Sequence, residues 1–147
     1  MANHLHIVSF DIPFPADYGG IVDVYYKIKA LHELGVAVHL HCFEYGREHS
    51  PALKSICKEV HYYKRNEGHK GFSLQYPYIV SSRTDESLWN RLNADEHPVL
   101  LEGVHSTYGL VSGYLKKKNV AIRLHNVEYE YYKQIGSWEK SLFRKAY

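Results

Sequence analysis

Cysteine is scarce in this 147-residue chain: Cys42 and Cys57 are the only two. Two cysteines without close spacing make neither a disulfide framework nor a zinc knuckle, so reduced thiols and a cytoplasmic location are the expectation. Long apolar runs are also missing. Nothing approaches the roughly 20 residues of a membrane span, and the opening MANHLHIVSF has neither the basic start nor the apolar core of a secretory leader. An excess of one charge is absent too. The 18 Lys and Arg against 16 Asp and Glu leave a net charge of +2, which gives no electrostatic case for nucleic acid as a partner. Three phosphate-handling signatures do not occur. No G-x-G-x-x-G follows the first apolar stretch, there is no G-x-x-x-x-G-K-[ST], and no Asp-x-Asp pair offers to hold a metal diphosphate. These absences weaken a dehydrogenase reading and exclude a P-loop.

What is present is an alternation of short apolar stretches with helical patterns. HLHIVSF (4–10), VAVHLHCF (36–43), EVHYYKR (59–65), PVLLEG (98–103) and VAIRLHN (120–126) read as strands. Between them, Ile21, Val24, Ile28 and Leu31 recur at helical spacing over 21–34, and Gly35 is the expected terminator. Ser50 and Pro51 open a short helix to Cys57. Thr84 is placed to cap TDESLWNRLNAD, 105–118 reads as a helix ending in Lys116, Lys117 and Lys118, and Ser137 to cap a helix over 137–147. Residues 66–83 give no clear pattern. Strands alternating with helices predict an α/β, Rossmann-like, mainly parallel sheet with helices on both faces, in a single domain with strand order 3-2-1-4-5. The chain stops within an apolar helical pattern, so a piece of a longer protein is expected.

Eleven histidines and 14 tyrosines stand out. In HLHI and VHLHCF the pairs His4/His6 and His39/His41 are two residues apart, and residues two apart on a strand share a face. Each pair offers two metal ligands, but no third ligand is spaced to join them. The expectation is ordinary strand histidines and no metal.

In an open parallel sheet, ligands bind beyond the carboxyl ends of the strands near the reversal of strand order. That rule selects three loops: Asp11 to Gly20, Glu102 to His105, and His125 to Glu128. Gly19 and Gly20 stand just before the first helix, where free N–H groups and the positive helix end suit a phosphate or diphosphate. A tight turn with no ligand explains the pair as well. Pro13 and Pro15 stiffen the approach. His125, with Asn126, ends a strand where an imidazole can bond a substrate hydroxyl or pass a proton; a structural histidine is the plainer alternative. Glu102 and His105 end the preceding strand, and Asp11 the first. Glu128 and Glu130 suit a helix start. Lys116 to Lys118 suit a solvated helix end, or contact with anionic lipid at the inner face of a membrane.

The stretch HIVSFDIPFPADYGGIVDVYYKIKALHELGVAVHL resembles the N-terminal domain of retaining family-4 glycosyltransferases with a GT-B fold, and IRLHNVEYEYY is similar to the segment after the fifth strand of that family. The likeness runs in order along nearly the whole chain. It implies an acceptor-side Rossmann-like domain over 1–147, shortened at its end, and a nucleotide-sugar domain that this chain lacks and needs in cis. By that likeness Gly19 and Gly20 lie against the donor diphosphate, and His125 sits by the transferred sugar and the acceptor hydroxyl. Asp11, Glu102, His105 and Asn126 are expected to line the acceptor cleft, with capping of the following helix as the alternative for Glu102. Transfer from a nucleotide-sugar to a saccharide or lipid-linked acceptor would retain anomeric configuration, with no metal and no cofactor. The chain alone is expected to be inactive. The rival readings are a nucleotide-binding epimerase or dehydrogenase, and a non-catalytic flavodoxin-like interaction module.

Overall fold

A computed structural model describes residues 3–117, 119–126, 130, 133, 134 and 137. Five strands form one sheet: β1 (His4–Ser9), β2 (Ala37–Glu44), β3 (Glu59–Lys64), β4 (Val99–Glu102) and β5 (Val120–Arg123). Their order is β3-β2-β1-β4-β5 and every pairing is parallel, which is the reversal at β1 that the sequence pattern predicts. The fold is a single-domain, Rossmann-like α/β sheet.

The two sheet faces differ because side chains alternate along each strand. One face carries Ile7, Val38, Leu40 and Cys42. It packs on α1 (Gly19–Glu33) through Val24 and Ile28, and on α2 (Pro51–Ile56) through Leu53. The other face carries Val8, Phe43, Tyr63 and Leu101 near the carboxyl ends of the strands, under Leu88, Trp89 and Leu92 of α4 (Glu86–Asn93). Burying each such aliphatic or aromatic side chain contributes about 1.5–3 kcal/mol, so this two-sided core fixes the sheet. Toward the amino ends of the strands, the second face changes character: His4, His6, His39, His41 and His61 take the places of aliphatic residues.

Local chemistry sets the element ends. Ser50 caps α2 by accepting the Ala52 N–H at 3.2 Å, with Pro51 as the first helical residue. Gly35, with φ +77°, ends α1 by donating to His32 O at 2.9 Å. Three expectations are corrected. Asp85, not Thr84, caps α4; its carboxylate accepts from Ser87 N at 2.9 Å and so satisfies one of the helix's unpaired donors. The single helix expected over 105–118 is instead a 3₁₀ turn at Val104–Ser106 and a short α5 (Tyr108–Val111). It stops at Gly113, which has φ +79°, and the chain then crosses as an irregular segment in which Lys116 N donates to Asn93 Oδ1. Lys117 is therefore not a solvated helix end: its ammonium lies 2.9 Å from Asp95. Residues 66–83 hold a 3₁₀ turn (Gly68–Gly71) and the one-turn α3 (Tyr78–Ser81) after Pro77. Lys118, Glu128 and residues 138–147 of the helix expected over 137–147 lie outside the described residues. Among the described residues no helix is long and apolar enough to cross a membrane.

Candidate functional site at the carboxyl ends of the strands

The three loops singled out by the sequence do meet. A cavity of about 590 Å³ opens beyond β1, β4 and β5. Of the candidate residues, Asp11, Gly19, Gly20, His105, His125 and Asn126 line it, together with Phe10, Tyr18, Asp23 and Arg83.

Gly19 and Gly20 are not residues before the helix but its first turn. Tyr18 is the capping residue, its side chain makes no capping hydrogen bond, and no acid occupies the first turn. Both glycines line the cavity, and the first turn of a helix has amides left unpaired within the helix and a positive dipole end. Neither glycine has a positive φ. Their reasons differ. A Cβ on Gly20 would lie 3.0 Å from the ring of Phe10, a packing reason, whereas a Cβ on Gly19 would meet nothing within 4 Å. The fold does not require glycine at 19; an open approach to its backbone is what a side chain there would remove.

Beneath this mouth is a charge network that sequence reading missed. Lys27 donates to Asp23 at 3.1 Å and to Glu102 at 2.6 Å. Arg123 grips Asp23 with two bonds of 3.0 and 3.1 Å. That grip is the main reason the Asp23 carboxyl titrates at about 2. His125 stands between both acids, Nε2 at 3.0 Å from Glu102 and Nδ1 at 3.5 Å from Asp23. Its approach to Glu102 is close but not aligned as a hydrogen bond. Glu102, expected to line the cleft, is fully buried under the cavity instead, where it holds Lys27 and backs His125. A buried carboxylate needs such partners, since desolvation alone is very costly. The signal for Asp23 and Lys27 was available: they stand four apart on α1, off its apolar stripe.

The remaining residues shape the walls. Gly103 turns the chain after β4 with φ +71°, and a Cβ there would crowd His105 at 3.0 Å and His125 at 3.7 Å. His105 is pushed down to about 4 by burial first, then by Arg83 and Arg65, so the ring is neutral near pH 7. Asp11 is buried and its pKa is raised by desolvation, against a bond from Ile12 N at 2.8 Å. Arg83 spans the wall by donating to Phe10 O at 2.9 Å and Ile79 O at 2.8 Å. The arrangement can receive an anion at the start of α1 and present an imidazole, backed by two acids, to a group beside it.

Among the described residues, two clusters have the composition of a cation site. Asp23, Glu102 and His125 offer ligand atoms within 4.8 Å of one another, as do His4, His39 and His97. The first set is already neutralised by Lys27 and Arg123, so a dication there would displace two fixed cations. The second set stands at the opposite ends of the strands.

No known family profile matches the chain, and no solved structure matches it. It is similar to an "uncharacterized 44.6 kDa protein in cps region" of Klebsiella pneumoniae, with 33% identity over 149 residues covering 96% of this chain. The chain spans 38% of that protein's length.

Proposed function

We propose that this chain is the acceptor-side half of a nucleotide-sugar-dependent glycosyltransferase that acts in surface polysaccharide biosynthesis and retains anomeric configuration. One observation carries the reading: the glycine-led, uncapped first turn of α1 opens on the same cavity as His125. In this reading the Gly19 and Gly20 amides take the donor diphosphate, and electrostatic support of that leaving group is the main catalytic term. His125 contacts the transferred sugar and the acceptor hydroxyl, while Glu102 and Asp23 orient its ring. Asp11, His105 and Asn126 meet the acceptor, a saccharide or lipid-linked saccharide. The similarity to a cps-region (capsule) protein agrees with such an acceptor. The protein works from the cytoplasm, peripherally at the membrane where the acceptor is lipid-linked. A second α/β half in cis supplies the remaining donor contacts, and neither metal nor cofactor takes part.

Radiolabelled sugar transfer tests this. The 147-residue chain alone should show no turnover, while the chain joined to its downstream coding sequence should transfer sugar from a nucleoside-diphosphate donor. Turnover by the chain alone would overturn the assignment to one half of an enzyme. Stabilisation by nicotinamide cofactors rather than nucleoside diphosphates would replace it with a dehydrogenase or epimerase.

A further inference from the structure

We propose that His4, His39 and His97 bind a transition-metal dication of the zinc class at the amino ends of the strands, remote from the cavity. The three residues come from β1, β2 and the connection between α4 and β4, and their candidate ligand nitrogens all lie within 4.8 Å of one another. His4 Nδ1 is 2.8 Å from His39 Nε2, and the His97 ring stacks on His4 at 4.5 Å between centroids. Three imidazoles converging with no carboxylate among them are the donor set of zinc, nickel or copper rather than of magnesium or calcium.

The surroundings fit the assignment. Glu59 lies 3.3 Å from His39 Nδ1, which leaves Nε2 for the metal and fixes the tautomer as a carboxylate behind a ligating histidine does. The acid is itself held, at 3.0 Å from His61 Nε2. Binding needs small movements only. Two nitrogens about 2.0–2.1 Å from a tetrahedral ion are about 3.4 Å apart, so His4 and His39 must part by about half an ångström. His97 must turn out of its stack, which its loop position permits. Water would complete the shell. The ion would then tie two central strands to the segment that feeds a third.

The test is titration of tag-free, metal-stripped protein with Co2+ and Zn2+. Expected are visible Co2+ ligand-field bands saturating at one equivalent, their loss on adding Zn2+, and a rise in Tm with zinc. His4→Ala and His97→Ala, each checked for folding by circular dichroism, should lower the zinc affinity at least tenfold and abolish the Tm rise. His32→Ala, on the last turn of α1, should bind as the parent does. Absence of one-equivalent Co2+ bands in the parent protein would overturn the site, and so would unchanged affinity in both folded variants.

Discussion

The two ends of the sheet solve opposite electrostatic problems with the same strands. At the carboxyl ends, fixed charges are matched: Lys27 and Arg123 against Asp23 and Glu102, with His125 between the acids. At the amino ends the polar groups are mostly titratable rings bonded to one another. His6 Nδ1 meets His41 Nε2 at 2.9 Å, and His41 Nδ1 meets Tyr63 Oη at 2.9 Å. Asp95, 3.0 Å from His6, anchors that chain of rings. A matched ion network holds its geometry across the neutral pH range. A ladder of neutral imidazoles holds only while none of its buried members takes a proton.

Breaking the charged end should have the largest effect. Glu102→Ala leaves Lys27 and His125 facing a void without their acid, and should cost about 3–5 kcal/mol in urea unfolding. Glu102→Gln should lose less, since the amide fills the same space. Acid should strike the other end next. His41, pushed down to about 2 by burial first and then by His6 and its neighbours, is neutral in the fold but charged when unfolded below about pH 6.5. Its folded pKa is depressed, so its contribution is full above about pH 6.5 and is lost as pH falls below that. His105 has the same sign with a folded value of about 4. Each should remove about 1–2 kcal/mol between pH 7 and pH 5, read as a falling urea midpoint, whereas Asp23, already at about 2, should not titrate in that window. Gly103→Ala should cost about 1–2 kcal/mol, because φ is +71° and three rings surround the position. Gly19→Ala should be smallest in stability, a gain of a few tenths of a kcal/mol, since its Cβ meets nothing and Ala is the better helix former. Under the proposed function, the same change in the full-length protein should lower kcat/KM for sugar transfer at least tenfold. Gly20→Ala, which crowds Phe10, should instead lower Tm.

Strand order, the α1 stripe and the Ser50–Pro51 cap were legible because each is a local pattern: period two, period 3.6, or a side chain two residues from its donor. The convergence of Gly19, His105 and His125 was legible because one topological rule places all three loops at one rim. What failed was non-local or rested on competing local signals. The segment 105–118 has apolar spacing fit for a helix, but Gly109 must approach Trp89, where a Cβ would lie 2.5 Å from the ring, and Gly113 reverses the backbone. Thr84 and Asp85 are both competent caps, and the carboxylate won. The metal pairs weighed in the sequence, His4/His6 and His39/His41, were judged by neighbours along the chain, whereas the α4–β4 connection brings His97 beside His4. Glu102 is placed at the correct strand end by its sequence, yet nothing in VLLEG says that it points beneath the floor.

Helix α1 carries the glycine turn at its start and both Asp23 and Lys27 one and two turns later, so the uncapped turn and the charge network share one rigid rod. An anion seated on the first turn adds negative potential to the space that His125 also borders.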